Sequence, residues 1–254
     1  MQKIELNITS VEISLTDLCN RKCSFCPQVF SEFQNLYENK FIKFETLINI
    51  KKELDKFDTK PLISLAGFGE PLLYKKIIDV IELFKDYEII IFTNVDNKNK
   101  LLKIDKKNVF VFANLYDEEK EEEYLHILKK LNHSKYYIVK HWLANKDRYQ
   151  NRNKIFNDLG KEEDKVLPCQ QPYTNVMIDH LGNVILCCND WYRSNIFGNV
   201  NENSLFEILS GDYAKIANDI LKNRMNYEFC NGCNYKSNKS LKEFYNSISN
   251  SLSA

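Results

Sequence analysis

The chain has 254 residues, 44% of them hydrophobic, enough for one large domain or a domain plus a small appendage. Lysine plus arginine and aspartate plus glutamate both number 35, and this balance excludes the electrostatic footprint of a nucleic-acid or anionic-membrane binder. No apolar run approaches the roughly 20 residues of a membrane span, and eight cysteines in so long a chain argue against a small secreted disulfide scaffold.

The first residues, Met1 to Asn7, carry no secretory apolar run, so a cytoplasmic chain with reduced, metal-binding cysteines is expected. Val11 to Leu15 alternates apolar and polar residues and reads as a strand. It runs directly into Cys19-Asn20-Arg21-Lys22-Cys23-Ser24-Phe25-Cys26. Phe44 to Phe57 has the period of an amphipathic helix. Leu62 to Ala66 reads as a second strand, followed by Gly67-Phe68-Gly69-Glu70-Pro71 and a helix over Lys75 to Lys85. Glu88 to Phe92 is a third strand ending at Thr93-Asn94, and Lys98 to Lys103 a short helix. Val109 to Ala113 and Tyr136 to Lys140 read as the fourth and fifth strands, with a charged helix over Glu118 to Leu131 between them. Strands alternating with helices imply a parallel sheet with crossover helices. The loops after strands one, two and three then converge on one rim, where parallel α/β barrels place reactive groups.

Residues 144–166 are polar and show no firm strand, and the chain divides into expected units at 1–160 and 161–254. In the second unit, Asn175 to Asp179 and Asn183 to Leu186 flank His180-Leu181-Gly182 and suggest a β-hairpin. Cys187-Cys188 ends its second strand. Ser204 to Leu221 reads as one or two helices, with Ser204 an N-cap and Gly211 a break, and Leu241 to Ile248 as a last short helix. The serine-rich end is expected to fray.

Three cysteines within eight residues can present three thiolates to one face of an iron–sulfur cube, which normally takes four. One iron is then left open for a small molecule. Cys19, Cys23 and Cys26, with Phe25 before the third, resemble the radical S-adenosylmethionine (radical SAM) signature. The resemblance implies a partial (β/α)6 barrel, here abbreviated since five strands are firm. It also implies a [4Fe–4S] cluster whose open iron is chelated by SAM, and a 5′-deoxyadenosyl radical that removes hydrogen from carbon. A zinc knuckle or three unrelated thiols is the competing reading.

Cys169, Cys187, Cys230 and Cys233 form a second thiolate set. The hairpin, "LGNVILCCNDW", "FGNV", "SLFEIL" and "CNGC" resemble the SPASM appendages of radical SAM enzymes, called twitch when shortened. The resemblance implies a small C-terminal twitch domain, a β-hairpin plus helix, holding one auxiliary [4Fe–4S] cluster, and so two clusters per chain. A four-cysteine zinc site is the alternative. Adjacent strand residues point to opposite sides, so one of Cys187 and Cys188 is the ligand, and the resemblance favours Cys187. Cys188 then reads as a small buried residue or as part of the substrate cavity, with Asn189 and Asp190. Asp190 is equally suited to cap the next turn.

Gly67, Gly69 and Glu70 resemble the family's Gly-Gly-Glu-Pro contact to the SAM amine, with Phe68 where a glycine is usual. Thr93 and Asn94 resemble its Thr-Asn-Gly turn, with Val95 in place of the glycine. Phe25 and Asn114 complete the expected cofactor-binding set, and Asn151-Arg152 resembles an Asn-Arg stretch of the same enzymes. Arg152 is the candidate catalytic residue, placed to clamp the SAM carboxylate or a substrate hydroxyl. A helix cap for Thr93-Asn94, a turn role for Asn114 and a surface position for Arg152 are the plainer alternatives. His126, His133, His141 and His180 lack ligand spacing and read as structural.

The resemblance implies oxidation of a secondary alcohol on an aminocyclitol or sugar-like molecule, with the auxiliary cluster accepting an electron. An external one-electron reductant, flavodoxin or ferredoxin, is the expected partner. Radical modification of a peptide is the second reading, with no recognition domain seen before Val11. A non-catalytic electron-transfer protein is the third.

Overall fold

The computed structural model describes residues 6–36, 40–144, 149–152, 155–156, 158, 168–230, 233–235 and 239–251. Among them, eight strands form one sheet: β1 (Ser10–Ile13), β2 (Leu62–Leu65), β3 (Ile89–Thr93), β4 (Val109–Leu115), β5 (Lys135–Lys140), β6 (Asn175–Ile178), β7 (Asn183–Ile185) and β8 (Ile196–Asn199). Their order is β5-β4-β3-β2-β1-β6-β7-β8. The first five run parallel as the sequence suggests. A sixth parallel strand exists, but it is the first strand of the C-terminal hairpin. β6 lies beside β1 with Glu12 opposite Met177, so the hairpin continues the barrel sheet. β7 and β8 follow antiparallel, and β8 is a strand the sequence did not announce. The expected boundary at 160/161, and most of the linker before it, lie outside the described residues.

The helices are α1 (Ser31–Leu36), α2 (Phe44–Leu54), α3 (Ile77–Leu83), α4 (Lys98–Lys103), α5 (Glu121–Leu128), α6 (Gln171–Thr174), α7 (Leu205–Ser210), α8 (Asp212–Asn223) and α9 (Leu241–Ser251). Ser204 caps α7 with Glu207 in a reciprocal capping box, and Gly211 separates α7 from α8.

Strand parity sets the layers, because successive side chains point to opposite faces. Val11, Ile13, Ile63, Leu65, Ile89, Ile91, Val109 and Val111 pack with Leu47, Ile50, Val80 and Leu128 of the helices in the main core. The other parity faces inward. Leu62, Ile90 and Phe110 meet Tyr245 and Ile248 of α9 there, with the Phe110 and Tyr245 rings edge-to-face at 5.5 Å. α9 therefore fills the inner face at the end where β2 to β4 begin. The same inner parity on β1 is polar: Ser10, Glu12 and Ser14 are all buried.

Candidate active site

β1 delivers the chain to the cysteine loop, which Arg21 ties down. Its guanidinium donates to both oxygens of Asp96 (2.6 and 2.7 Å) and to both of Asp117 (3.0 and 2.6 Å). It also lies 5.2 Å from the centre of the Tyr116 ring. Paired bidentate contacts suit a planar guanidinium. They hold Arg21 charged and Asp117 ionised well below the usual carboxylate range. Within the loop, Cys26 N–H donates to the Cys23 carbonyl at 2.9 Å.

The loop carrying Gly67 to Glu70 lies against the stem of the cysteine loop. A Cβ on Gly69 would stand 2.5 Å from the carbonyl oxygens of Thr16 and Leu18, so only glycine permits the approach. Gly67 has φ +100° and abuts Ser14. Glu70 is buried and held by three donors: Leu72 N–H (3.0 Å), Thr93 hydroxyl (2.7 Å) and Asn94 N–H (2.9 Å). Burial raises its pKa to about 7 against those hydrogen bonds. Asn94 reaches on to Asn20 at 2.8 Å. Val95, which stands where a glycine was expected, takes the left-handed conformation, φ 65°.

These loops enclose a cavity of about 370 Å³. It brings together every expected residue of the SAM site: Cys19, Cys23, Phe25, Cys26, Gly67, Gly69, Glu70, Thr93, Asn94, Asn114 and Arg152, and Cys188 beside them. Arg152, at φ 49°, donates to Asn189 Oδ1 at 3.3 Å and lies 5.8 Å from the Trp191 ring centre. It faces the cavity rather than the surface.

Sequence reasoning missed several residues of this wall. Glu12 lines the cavity and accepts no hydrogen bond among the described residues. Burial lifts its pKa to about 7, opposed by the charge of Arg152. A carboxylate between two core residues of a strand was the available signal. Tyr116, His141 and Tyr149 stack with Phe25, whose ring is 4.2 Å from Tyr149 and 5.4 Å from His141. His141 Nε2 lies 3.0 Å from Asn114 Oδ1, and burial lowers its pKa to about 4, leaving a neutral ring. His141 is thus a cavity residue, and no spacing rule pointed to it.

A second, smaller cavity of about 40 Å³ is lined by Cys169, Cys187, Cys188, Cys230 and Cys233. It admits no substrate-sized molecule. Asn189 and Asp190 line it too, and neither lines the larger cavity. Asp190 caps the turn that follows, accepting from Ser194 and Asn195 N–H at 3.0 and 2.9 Å. Cys188 alone of the cysteines lines both cavities.

The donor sets fit iron–sulfur clusters. Burial first, then the charge of Glu70 and of Cys26, lifts Cys19 to about 11, and burial first, then Cys26 and Cys19, lifts Cys23 to about 12. Burial first, then neighbouring cysteines, lifts Cys230 to about 12 and Cys187 well above the ordinary thiol value. Thiols so crowded and desolvated become thiolates only with a compensating cation, which a cluster provides. Among the described residues, no three His, Cys, Asp or Glu side chains converge tightly enough to enclose a single metal ion.

Residues 169–234 match the family model of SPASM, an iron-sulfur cluster-binding domain. The chain is 24% identical over 234 residues to an S-adenosyl-L-methionine-dependent 2-deoxy-scyllo-inosamine dehydrogenase of Niallia circulans, covering 88% of this chain and 92% of that one. Its fold resembles BtrN solved in complex with AdoMet and 2-DOIA: TM-score 0.73, 21% identity, 92% and 95% of the two chains covered. Streptococcus suis SuiB bound to precursor peptide SuiA shares the fold more loosely, with TM-score 0.52, 14% identity, and 89% and 69% covered. No helix among the described residues is long and apolar enough to cross a membrane.

Proposed function

We propose that this chain, a radical SAM oxidoreductase with a SPASM-type twitch domain, oxidises a secondary alcohol of an aminocyclitol or sugar-like molecule, an auxiliary [4Fe–4S] cluster accepting the second electron. The observation that carries this reading is the meeting of Glu12, Arg152 and Cys188 in the cavity that also holds the three-cysteine loop. The dehydrogenase relative supports the substrate class.

When bound, the first cluster and SAM supply the one-electron chemistry that removes a hydrogen atom from carbon. Cys19, Cys23 and Cys26 would hold that cluster, and Glu70 with the Gly67–Gly69 backbone would receive the SAM amine. The chain's own residues then handle a proton. An alcohol carbon that has lost a hydrogen atom becomes a ketone by losing the hydroxyl proton and one electron. Glu12, with its pKa near 7 and a cavity-facing carboxylate, accepts that proton. The Arg152 guanidinium steadies the developing negative oxygen. Cys169, Cys187, Cys230 and Cys233 would hold the auxiliary cluster, which would supply a one-electron acceptor there. Asn189 spans the gap, bonded to Arg152 at 3.3 Å and donating to Cys233 Sγ at 3.8 Å.

The test is anaerobic incubation of reconstituted protein with SAM, a one-electron reductant, and either aminocyclitols such as 2-deoxy-scyllo-inosamine or short peptides. The reading requires 5′-deoxyadenosine and a ketone in equal amounts from a cyclitol. Turnover of peptides alone would replace it with side-chain modification, the reading favoured by the shared fold with the peptide-bound neighbour.

A further inference from the structure

Phe68 stands where the family motif has a glycine, and its buried ring must be covered. The cover comes from the loop after Cys187-Cys188. Trp191 meets the ring edge-on at 5.0 Å, and the Arg193 guanidinium lies 5.1 Å from its centre. Arg193 also serves two fully buried carboxylates: Asp17 Oδ2 at 3.8 Å from its Nη2, and Asp179 Oδ2 at 3.8 Å from its Nε.

Each carboxylate is rooted in a different element. Asp17 lies two residues before Cys19, and its Oδ1 accepts from Lys40 N–H at 2.8 Å. Asp179 braces the β6–β7 turn, accepting from Leu181 and Asn183 N–H at 2.9 Å. His180 Nε2 lies 3.5 Å from Asp17 Oδ2, and desolvation lowers its pKa. The guanidinium thus lies within 3.8 Å of both carboxylates. Gln28 closes the arrangement from the other side, donating Nε2 to the carbonyls of Asp17 (2.7 Å) and Phe68 (2.5 Å).

We propose that Arg193 is a positioning residue: it fastens the auxiliary-site loop to Phe68 and the cysteine-loop stem, and so sets the backbone that receives SAM. The contact depends on the breadth of the guanidinium, which lies over the Phe68 ring and within 3.8 Å of both carboxylates; a lysine keeps the charge as a compact point and cannot span all three. The proposal rests on the reading of Gly67 to Glu70 as part of the SAM site.

The experiment uses cluster-loaded protein and a double-mutant cycle of Arg193→Lys, Phe68→Leu and the pair. SAM affinity is read by equilibrium dialysis, alongside iron content and the separate KM and kcat for SAM. Arg193→Lys is expected to raise the SAM Kd about three- to tenfold, the scale of a lost partly buried cation–π contact. Iron content and kcat at saturating SAM stay at wild-type levels, and the double variant binds no worse than the weaker single one. Unchanged SAM affinity in Arg193→Lys overturns the proposal, as do independent, multiplying effects. Loss of iron in Arg193→Lys also overturns it, because the role is then merely structural. Failure of the wild-type protein to bind SAM would remove the functional reading itself, a result separate from these. Arg193→Met, which takes the guanidinium charge from beside both buried carboxylates, tests the fold: low soluble yield is expected, and normal yield with normal SAM affinity refutes the joint.

Discussion

Arg152 and Asn189 form the contact that joins the two cavities: Nη1 donates to Oδ1 at 3.3 Å, while the amide of the same asparagine reaches Cys233 Sγ at 3.8 Å. Asn189→Ala breaks the link and leaves all seven candidate ligands in place. Its expected phenotype is uncoupling, with 5′-deoxyadenosine still formed and the ketone yield per SAM falling severalfold. Product ratios measured by mass spectrometry decide it. Arg152→Gln is expected to lower kcat by about 10²-fold or more, the scale of one lost electrostatic donor, with iron content unchanged.

Glu12 carries two pH signatures of opposite sign. Its pKa is raised to about 7 in the folded protein by burial, above the ordinary value of about 4.3. The native state therefore binds the extra proton. The stability this contributes is complete below the unfolded pKa and is lost as pH rises through about 7. Glu12→Gln should flatten the fall in unfolding free energy between about pH 4.5 and 7, where one group accounts for at most about 1.4 kcal/mol per pH unit. Glu70, also raised to about 7, keeps its own share of the slope. Turnover runs the other way, because a proton acceptor must be ionised. kcat/KM is expected to climb through about pH 7 in the wild type. In Glu12→Gln it should be about 10²- to 10⁴-fold lower, and kcat at saturating SAM, where Glu70 is already engaged, should lose its ascending limb. A variant that keeps the ascending limb takes Glu12 out of the proton step.

Iron analysis separates the adjacent thiols. On the proposed two-cluster reading, Cys187→Ser is expected to lose about half of the total iron. Cys188→Ser is expected to retain it all, while altering substrate KM. Equal iron loss in both variants would make Cys188 the ligand or a shared one.

Val95 is a stability test with two opposing effects. Its left-handed backbone (φ 65°) costs a β-branched residue about 1–2 kcal/mol. Its side chain is fully buried in the main core, worth about 1.5–3 kcal/mol, and glycine adds about 0.5–1 kcal/mol of backbone freedom to be lost on folding. Burial wins. Val95→Gly should be destabilised by about 1 kcal/mol in denaturant melts of the metal-free protein, and a gain in stability would show that strain dominates.

The five parallel strands and both cysteine sets were readable because each leaves a local mark: an apolar run between turns, or thiols at short spacing. Arg152 and Glu70 were readable through neighbouring motif residues. Glu12 was not, because alternation in Val11-Glu12-Ile13-Ser14 has the form of a strand wet on one face. Here the polar parity points into the barrel, and no local pattern distinguishes a solvent from a cavity. His141 and Tyr149 enter the site through stacking on Phe25, a contact 116 residues or more along the chain from that ring. The place of β6 was hidden for the same reason: its partner is β1, and Ser10 and Asn175 are 165 residues apart.

That pairing has a consequence for synthesis. β1 is made with one flank bare, and that flank stays bare until β6 follows 165 residues later. Bare strand flanks invite association with other chains. A polypeptide stalled before Asn175 therefore leaves along β1 an adhesive border that β6 covers in the folded chain.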